Sequence, residues 1–196
     1  MRCASAFVVL ALLTSGCLAH PVTARVARPN PFVGEREFVL LPLDHTALDA
    51  ARPAASDDPE ELRARAALDA AVVAFDQRFA ESMVQRAREL DYHIVPRDAA
   101  GPGAFVIRPR LQAFNPGNVE VVDDHLTMRP VEQTQSLATV RVTVIAPDGE
   151  RDEVTASHAQ PASRVAFNAV VARSGWDGLQ CGMAVAEHVK RRIDGE

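Results

Sequence analysis

The chain of 196 residues carries 26 acidic and 21 basic side chains, which leaves a formal net charge of −5. An acidic balance argues against nucleic-acid binding, which relies on basic surfaces. The length and a hydrophobic content of 47% suit one domain with a packed core, and two full domains do not fit.

The N-terminus has the order of parts of a secretory signal. Arg2 supplies a positive charge, an apolar run covers residues 6–13, and small residues precede Cys17. This run is too short to cross a bilayer as a helix. The sequence therefore predicts export, with residues 1–16 removed as a signal peptide.

The segment Thr14-Ser15-Gly16-Cys17 resembles the lipobox of bacterial lipoproteins. The resemblance implies cleavage between Gly16 and Cys17, and a Cys17 that carries a thioether-linked diacylglycerol and an amide-linked acyl chain such as palmitate. Thr14 departs from the family pattern, which usually has leucine there. Two other interpretations stay open: an ordinary cleaved signal with Cys17 as an incidental thiol, and a disordered apolar tail.

Leu18 bears on the destination of such a lipoprotein. In the enterobacterial form of the family, a residue other than aspartate after the cysteine favours the outer membrane. The resemblance thus implies a cell-envelope protein that is anchored in the outer membrane and faces the periplasm. Its expected partners are the membrane, through the N-terminal lipid, and an envelope protein; no nucleic acid is expected.

Residues 17–34 are predicted to form a tether between the lipid and a single domain at residues 35–196. They contain three prolines and no acidic residue, and prolines favour extended chain. Such a tether would reach about 50 Å at roughly 3.1 Å per residue. Arg25 and Arg28 add weak attraction to anionic lipid head groups.

The first elements of the domain are a strand, a loop and a long helix. A buried strand is predicted at residues 38–41, followed by loop chemistry. Asp58, Pro59 and Glu61 then form a complete helix start, with an N-cap, a proline at the first position and a capping-box partner. An apolar stripe with helical spacing predicts the buried face of this helix: Leu68, Val72, Phe75, Phe79, Met83, Ala87 and Leu90.

Strands and a helical C-terminus follow. Strands are predicted at residues 92–96, 105–111, 119–122 and 137–145, with Pro109 placing the second at an edge or bulge. A turn at residues 147–149 predicts a hairpin into residues 152–157. Two helical segments then close the chain, with Ser174-Gly175 as their junction and Trp176 in the apolar stripe of the second segment.

The element order predicts an α+β fold. We expect one largely antiparallel sheet of four to six strands, with the long helix and the C-terminal helices packed on one face. The pattern is similar to the small periplasmic domains of many bacterial envelope lipoproteins, over residues 35–193.

Residues capable of chemistry are scattered along the sequence. Asp123, Asp124 and His125 form the best local candidate for a metal or a hydrolytic centre, since two carboxylates stand beside an imidazole. No nucleophile-elbow, phosphate-loop or zinc-helix motif occurs. Cys181 is the single thiol left after lipidation and is expected to be buried. We therefore expect no catalytic, cofactor-binding or metal site, and no enzyme activity.

Three function classes follow from these observations. The favoured one is an anchored, non-catalytic interaction or assembly module, with the exposed arginines of the 105–111 strand as docking surface. The second is a carrier of a lipid or another apolar molecule, with the aromatic stripe of the long helix lining a cavity. The third is a hydrolase or metal-binding protein built on the Asp123, Asp124 and His125 loop.

Overall fold

A six-stranded mixed sheet forms the framework of the domain. The computed structural model describes residues 22–51, 57–101, 103–117, 120–122, 125–127, 135–161 and 167–196. The strands are β1 (Val22–Arg25), β2 (Glu37–Leu40), β3 (His93–Val95), β4 (Phe105–Asn115), β5 (Glu120–Val122), β6 (His125–Thr127), β7 (Gln135–Ile145) and β8 (Arg151–Pro161). The sheet order is β1-β8-β7-β4-β2-β3, while β5 and β6 pair with each other as a separate ribbon.

In the part of the chain that the structure describes, three helices accompany the sheet, namely α1 (Thr46–Ala51), α2 (Pro59–Glu89) and α3 (Phe167–Ile193), together with one 3-10 turn at Arg97–Ala99. Helices α2 and α3 pack on each other and on one face of the sheet. The α+β prediction is therefore confirmed: four of the six strands form an antiparallel set, and the long helix and the C-terminal helix share one face.

Helix α2 begins at the residue that its capping signals indicate. Pro59 is its first residue, and the backbone N–H of Leu62 bonds to the carbonyl of Asp58 at 2.9 Å. The predicted stripe faces the core, where Phe75, Phe79 and Met83 are at most 1% exposed. The capping signals at its start and the burial of one apolar stripe thus both stabilise this helix of 31 residues.

The β7–β8 hairpin also follows its sequence signals. Its loop is Pro147-Asp148-Gly149, closed by a bond from the N–H of Ala146 to the carbonyl of Glu150 at 2.8 Å. Gly149 has φ +92°, a conformation that side chains disfavour. Alternate residues of both strands point into the core, including Val140, Val142, Val154 and Ala156.

The predicted tether at residues 17–34 is wrong from Val22 onward. Residues 22–25 form the edge strand β1, antiparallel to β8, with Val22 opposite Ala156. Phe32 is 1% exposed and its ring packs edge-on against Phe105 at 5.9 Å. Because a fully buried phenylalanine and a strand tie this segment to the domain, the domain begins before residue 35.

Pro109 lies in a central strand rather than at an edge. β4 is flanked by β7 and β2, yet β2 ends at Leu40, before it comes level with Pro109. The carbonyl of Pro109 accepts a bond from the N–H of Asp44 at 3.0 Å. On the side of β2, Pro109 therefore faces chain outside the strand. Its lack of an N–H costs no hydrogen bond of the sheet there. A register shift follows between Leu111 and Ala113.

Two strand pairings complete the topology. β2 lies between β3 and β4 and runs parallel to both. The strand predicted at 119–122 is present as β5 and pairs with β6.

The C-terminal segment is one continuous helix, so the predicted junction at Ser174-Gly175 is wrong. Gly178 and Gly182 explain why glycine is common here. A Cβ on Gly178 would lie 2.3 Å from the carbonyl oxygen of Phe75, and a Cβ on Gly182 would lie 2.6 Å from that of Phe79. These glycines allow the backbones of α2 and α3 to approach closely, with the two helices running in the same direction.

Candidate functional site

A buried ionic cluster holds the N-terminal segment against the end of α3. Asp152 on β8 is 0% exposed. Its carboxylate accepts bonds from the backbone N–H of Ala27 at 2.7 Å and from Nε of Arg192 at 2.7 Å. Nη2 of Arg192 in turn donates to the carbonyl of Ala27 at 2.9 Å. We call Ala27, Asp152 and Arg192 the N-terminal clamp.

Neighbouring contacts extend the clamp along the segment. The side-chain amide of Asn30 donates to the carbonyl of Arg192 at 2.7 Å, and the N–H of Gly34 donates to the carbonyl of Ile193 at 2.9 Å. Nε2 of His188 lies 3.7 Å from the Asp152 carboxylate, which is too long for a normal hydrogen bond. Residues 27–34 are thereby joined to the C-terminus of α3 by backbone and side-chain bonds.

The electrostatics of Asp152 favour the ionised carboxylate. Burial alone would raise its pKa, but the nearby His188 imidazole, the Ala27 amide and the Arg192 guanidinium together hold the pKa below the ordinary value of 3.8. Asp152 occupies an inward position of β8, where an alternating strand normally carries an apolar residue. That inward acid is the sequence signal by which the clamp could have been found.

A second buried polar cluster lies farther along β8 and near the start of α3. Nδ1 of His158 is 2.5 Å from Oδ1 of Asp177, and the amide of Gln160 donates to the same oxygen at 2.6 Å. On α3, Ser174 is 0% exposed and its hydroxyl has no hydrogen-bond partner. Ser174 precedes Asp177 by three residues on α3, and since its hydroxyl makes no hydrogen bond, it lacks the contact with a histidine that a nucleophilic triad requires.

The surface offers a groove between α2 and α3. It has a volume of about 530 Å³, an apolar floor that includes Val171, Gly175 and Leu179, and a polar rim formed by Gln77, Arg78 and Glu81. Trp176 stands in this groove with 52% of its surface exposed. A smaller groove of about 180 Å³ continues along the same pair of helices and shares Arg78, Glu81 and Leu179. We call the larger one the Trp176 groove.

Trp176 was predicted to lie in the buried stripe of the C-terminal helix, and the structure corrects this. Ala186, Val189 and Ile193 of that stripe are buried, whereas Trp176 faces solvent. Large exposed aromatic side chains are typical of contact surfaces, where tryptophan is over-represented among residues that dominate binding.

The arginines of the 105–111 strand are exposed, as expected, but on the open face of the sheet. Arg108 and Arg110 point away from the helices, and Arg110 lies directly opposite Arg141 on β7. Like charges opposite each other across a strand pair repel. Asp44, with Oδ2 at 3.5 Å from Nε of Arg110, offsets part of that repulsion.

Several candidate residues from the sequence lie outside the described part of the chain. These are the signal-cleavage and lipidation residues Gly16 and Cys17, and the acidic pair Asp123 and Asp124. His125 is the first residue of β6. Among the residues that the structure describes, no group of three or more histidine, cysteine or acidic side chains is placed to hold a metal ion.

Cys181 lies in the core at 1% exposure, as the sequence indicated. Burial raises the pKa of its thiol to about 12, with a further contribution from the nearby Asp177 carboxylate. The thiol is therefore protonated and inert at neutral pH.

The aromatic stripe of α2 does not line an open cavity. Phe75 stacks with Phe79 at 6.3 Å between ring centroids, and its edge meets Phe114 at 5.5 Å. These rings and Met83 fill the packed core. Their placement offers no support for the carrier hypothesis.

Within the described ranges, no helix combines the length and apolar character required to cross a membrane.

Comparison with known proteins gives similarity to solved structures only. No protein-family model and no curated protein matches the chain. A DUF330 protein from Xanthomonas campestris is similar with a TM-score of 0.48 and 12% identity, over 87% of this chain and 93% of that one. A minor lipoprotein from Acinetobacter baumannii has a TM-score of 0.39 and 11% identity, over 81% and 92%.

The PelC dodecamer from Paraburkholderia phytofirmans is similar with a TM-score of 0.38 and 10% identity, over 83% of this chain and 98% of that one. Of these structures, the Acinetobacter baumannii protein is described as a lipoprotein. Scores and identities this low do not carry a function from one chain to another.

Proposed function

We propose that this chain is a bacterial envelope lipoprotein, anchored through Cys17 in the outer membrane and facing the periplasm, whose domain is a non-catalytic interaction module. The N-terminal sequence supports the anchor, since a short apolar run and small residues precede Cys17. Several acyl chains hold a protein to a bilayer more firmly than one chain does, at about 0.8 kcal/mol for each buried CH₂.

The observation that carries the interaction module is the Trp176 groove. An exposed tryptophan and the apolar residues Val171 and Leu179 lie together between two helices, rimmed by charged and amide side chains. An apolar centre with a polar rim is the usual anatomy of a protein contact surface. The occupant that fits is a segment of an envelope protein that inserts apolar side chains between α2 and α3.

The charges around the groove agree with a protein partner. Arg78 and Glu81 form an ion pair at 3.2 Å, so the rim presents both signs and no strong field of either. A mixed rim of this kind suits hydrogen bonds and local ion pairs with a polypeptide.

Photo-crosslinking in living cells tests the contact surface. A photoreactive phenylalanine analogue at position 176 is expected to crosslink one defined envelope protein, because the analogue keeps an aromatic ring in the groove. The matched control is the same analogue at Val73, which is 65% exposed on α2 outside the groove. Leu179→Arg should abolish the crosslink from position 176, and Val73→Arg should leave it intact.

Equal crosslinking from positions 73 and 176, or a crosslink that survives Leu179→Arg in a folded protein, would contradict the groove as the contact surface.

The anchor is tested separately by Cys17→Ala. We expect the variant to leave the membrane fraction and to lose incorporation of labelled palmitate, because the acyl chains have no other attachment point. Cys181→Ala is the matched control, since this thiol is buried in the folded domain. A Cys17→Ala variant that stays in the membrane would refute the anchor.

A further inference from the structure

We propose that the β1 edge of the sheet faces the membrane and that the β3 edge points away from it, an inference that rests on the proposed anchor at Cys17. Five residue steps separate Cys17 from Val22, the first residue of β1. Whatever conformation residues 18–21 adopt, covalent geometry limits this span to about 18 Å. Val22 must therefore lie within that distance of the lipidated cysteine.

The N-terminal clamp keeps the residues after Val22 attached to the domain, so they cannot lengthen the link between Cys17 and the sheet. β1 pairs with β8 over all four of its residues. Beyond it, Ala27 is bonded to both Asp152 and Arg192, and Phe32 is buried in the core. Detaching the segment would break a buried ion-pair network and expose a phenylalanine, and both changes are unfavourable. The part of the chain that is fixed to the sheet therefore begins at Val22.

The order of the strands then determines which edge of the sheet lies near the membrane. β1 and β3 are the two edge strands, and five strand spacings separate them in the order β1-β8-β7-β4-β2-β3. At about 4.8 Å per spacing, the β3 edge lies roughly 24 Å farther along the sheet. A domain held by β1 at the bilayer surface therefore presents its far edge to the periplasm.

The chemistry of the β1 edge suits a lipid surface. Thr23, Ala24 and Arg25 are exposed, and so is Arg28 in the following turn. No acidic residue occurs from residue 22 to residue 34. Glu153 stands opposite Arg25 and offsets part of its charge, so Arg28 supplies the clearer attraction to phosphate head groups. On its outer side β1 pairs with no other described strand, and the backbone groups there then meet head groups.

Energy transfer to labelled lipids tests the orientation. The full lipoprotein is purified from membranes and reconstituted into phosphatidylethanolamine vesicles that carry an acceptor dye on some head groups. Thr23→Cys on β1 and His93→Cys on β3 each receive a maleimide donor dye; both positions are exposed strand residues. The unsubstituted protein is the labelling control, because Cys181 is buried and the proposed processing removes Cys3 and acylates Cys17. We expect transfer from position 23 to be several-fold more efficient than from position 93.

A variant with a longer link between Cys17 and Val22 tests whether the short link causes the orientation. A flexible Gly-Ser insertion of roughly ten residues between Cys17 and Val22 is expected to reduce the difference between the two positions, since the span then no longer limits the distance. Equal transfer from positions 23 and 93 without the insertion, in protein that floats with the vesicles, would overturn the orientation alone. Loss of flotation would instead overturn the anchor on which it rests.

Discussion

Gly178→Ala is expected to destabilise the domain through the contact between α2 and α3. The added Cβ would lie 2.3 Å from the carbonyl oxygen of Phe75 and 3.0 Å from its carbonyl carbon. Ordinary contact begins at 3.4 Å, so the backbones must separate locally by 3.4 − 2.3 = 1.1 Å. A gap of that size forfeits a large part of the dispersion energy of neighbouring contacts.

The magnitude follows from two opposing effects. Overpacking against backbone costs about 3 kcal/mol, the upper end of the usual range, because a main-chain carbonyl has no rotamer to move to. Alanine recovers about 1 kcal/mol through its higher helix propensity. The free energy of unfolding should therefore fall by about 2 kcal/mol.

The assay is urea denaturation of residues 18–196, followed by circular dichroism at the helix minimum. Gly175→Ala on the same helix is the matched control, since its Cβ would lie 3.2 Å from the side-chain Cγ of Arg78 and at an ordinary contact distance of 3.7 Å from the carbonyl oxygen of Ala74. This control should be neutral or slightly stabilising. A Gly178→Ala protein at least as stable as the parent, alongside a normal Gly175→Ala, would refute close backbone packing as the reason for the glycine.

Three further outcomes follow from buried polar groups. Asp152→Asn should lower the free energy of unfolding by about 3 kcal/mol, because Arg192 keeps a buried charge without its partner; denaturation of an Arg151→Ala variant, which loses an exposed neighbouring charge, provides the comparison. Because the folded-state pKa of Asp152 is depressed, its contribution is present above pH 3.8 and disappears as the pH falls through the lower folded-state pKa. In Asp152→Asn, the free energy of unfolding should accordingly depend less on pH in that range. An unchanged pH dependence would contradict the role of Asp152. Tyr92→Phe should cost about 1 kcal/mol, since its hydroxyl donates to the carbonyl of Ala186 at 3.0 Å inside the core; no loss in denaturation would argue against that bond. Cys181 should resist maleimide at neutral pH and react fully after unfolding, as the pKa of its buried thiol is about 12; rapid labelling of the native protein would show that α3 opens locally.

Elements with local signals could be predicted from the sequence. The start of α2 depends on Asp58 and Pro59, which act within one helical turn, and its buried face depends on a periodic stripe. The β7–β8 hairpin depends on three turn residues between two alternating strands. Each signal lies within a few residues of the structure that it specifies.

The errors concern residues whose structure depends on distant partners. Residues 22–34 resemble a proline-containing tether when considered alone, and only Asp152 and Arg192, more than a hundred positions later, show that they belong to the domain. Ser174-Gly175 resembles a helix break, because the close approach of α2 that gives α3 its glycines cannot be read from α3. Trp176 fits an apolar stripe by its spacing, yet it lies on the solvent-exposed side of the groove between α2 and α3.

The candidate sites divide in the same way. The sequence by itself determined the α+β class through local periodicity, and its N-terminal segment carries the linear targeting signal on which the proposed export and lipid anchor rest. The tertiary structure decided that residues 22–25 form a strand beside β8, which arginines are exposed on the face of the sheet away from the helices, and which apolar residues form a groove around Trp176. The physical reason is that these features depend on strand pairing and helix contact between segments far apart in the chain, and no local pattern encodes such partners.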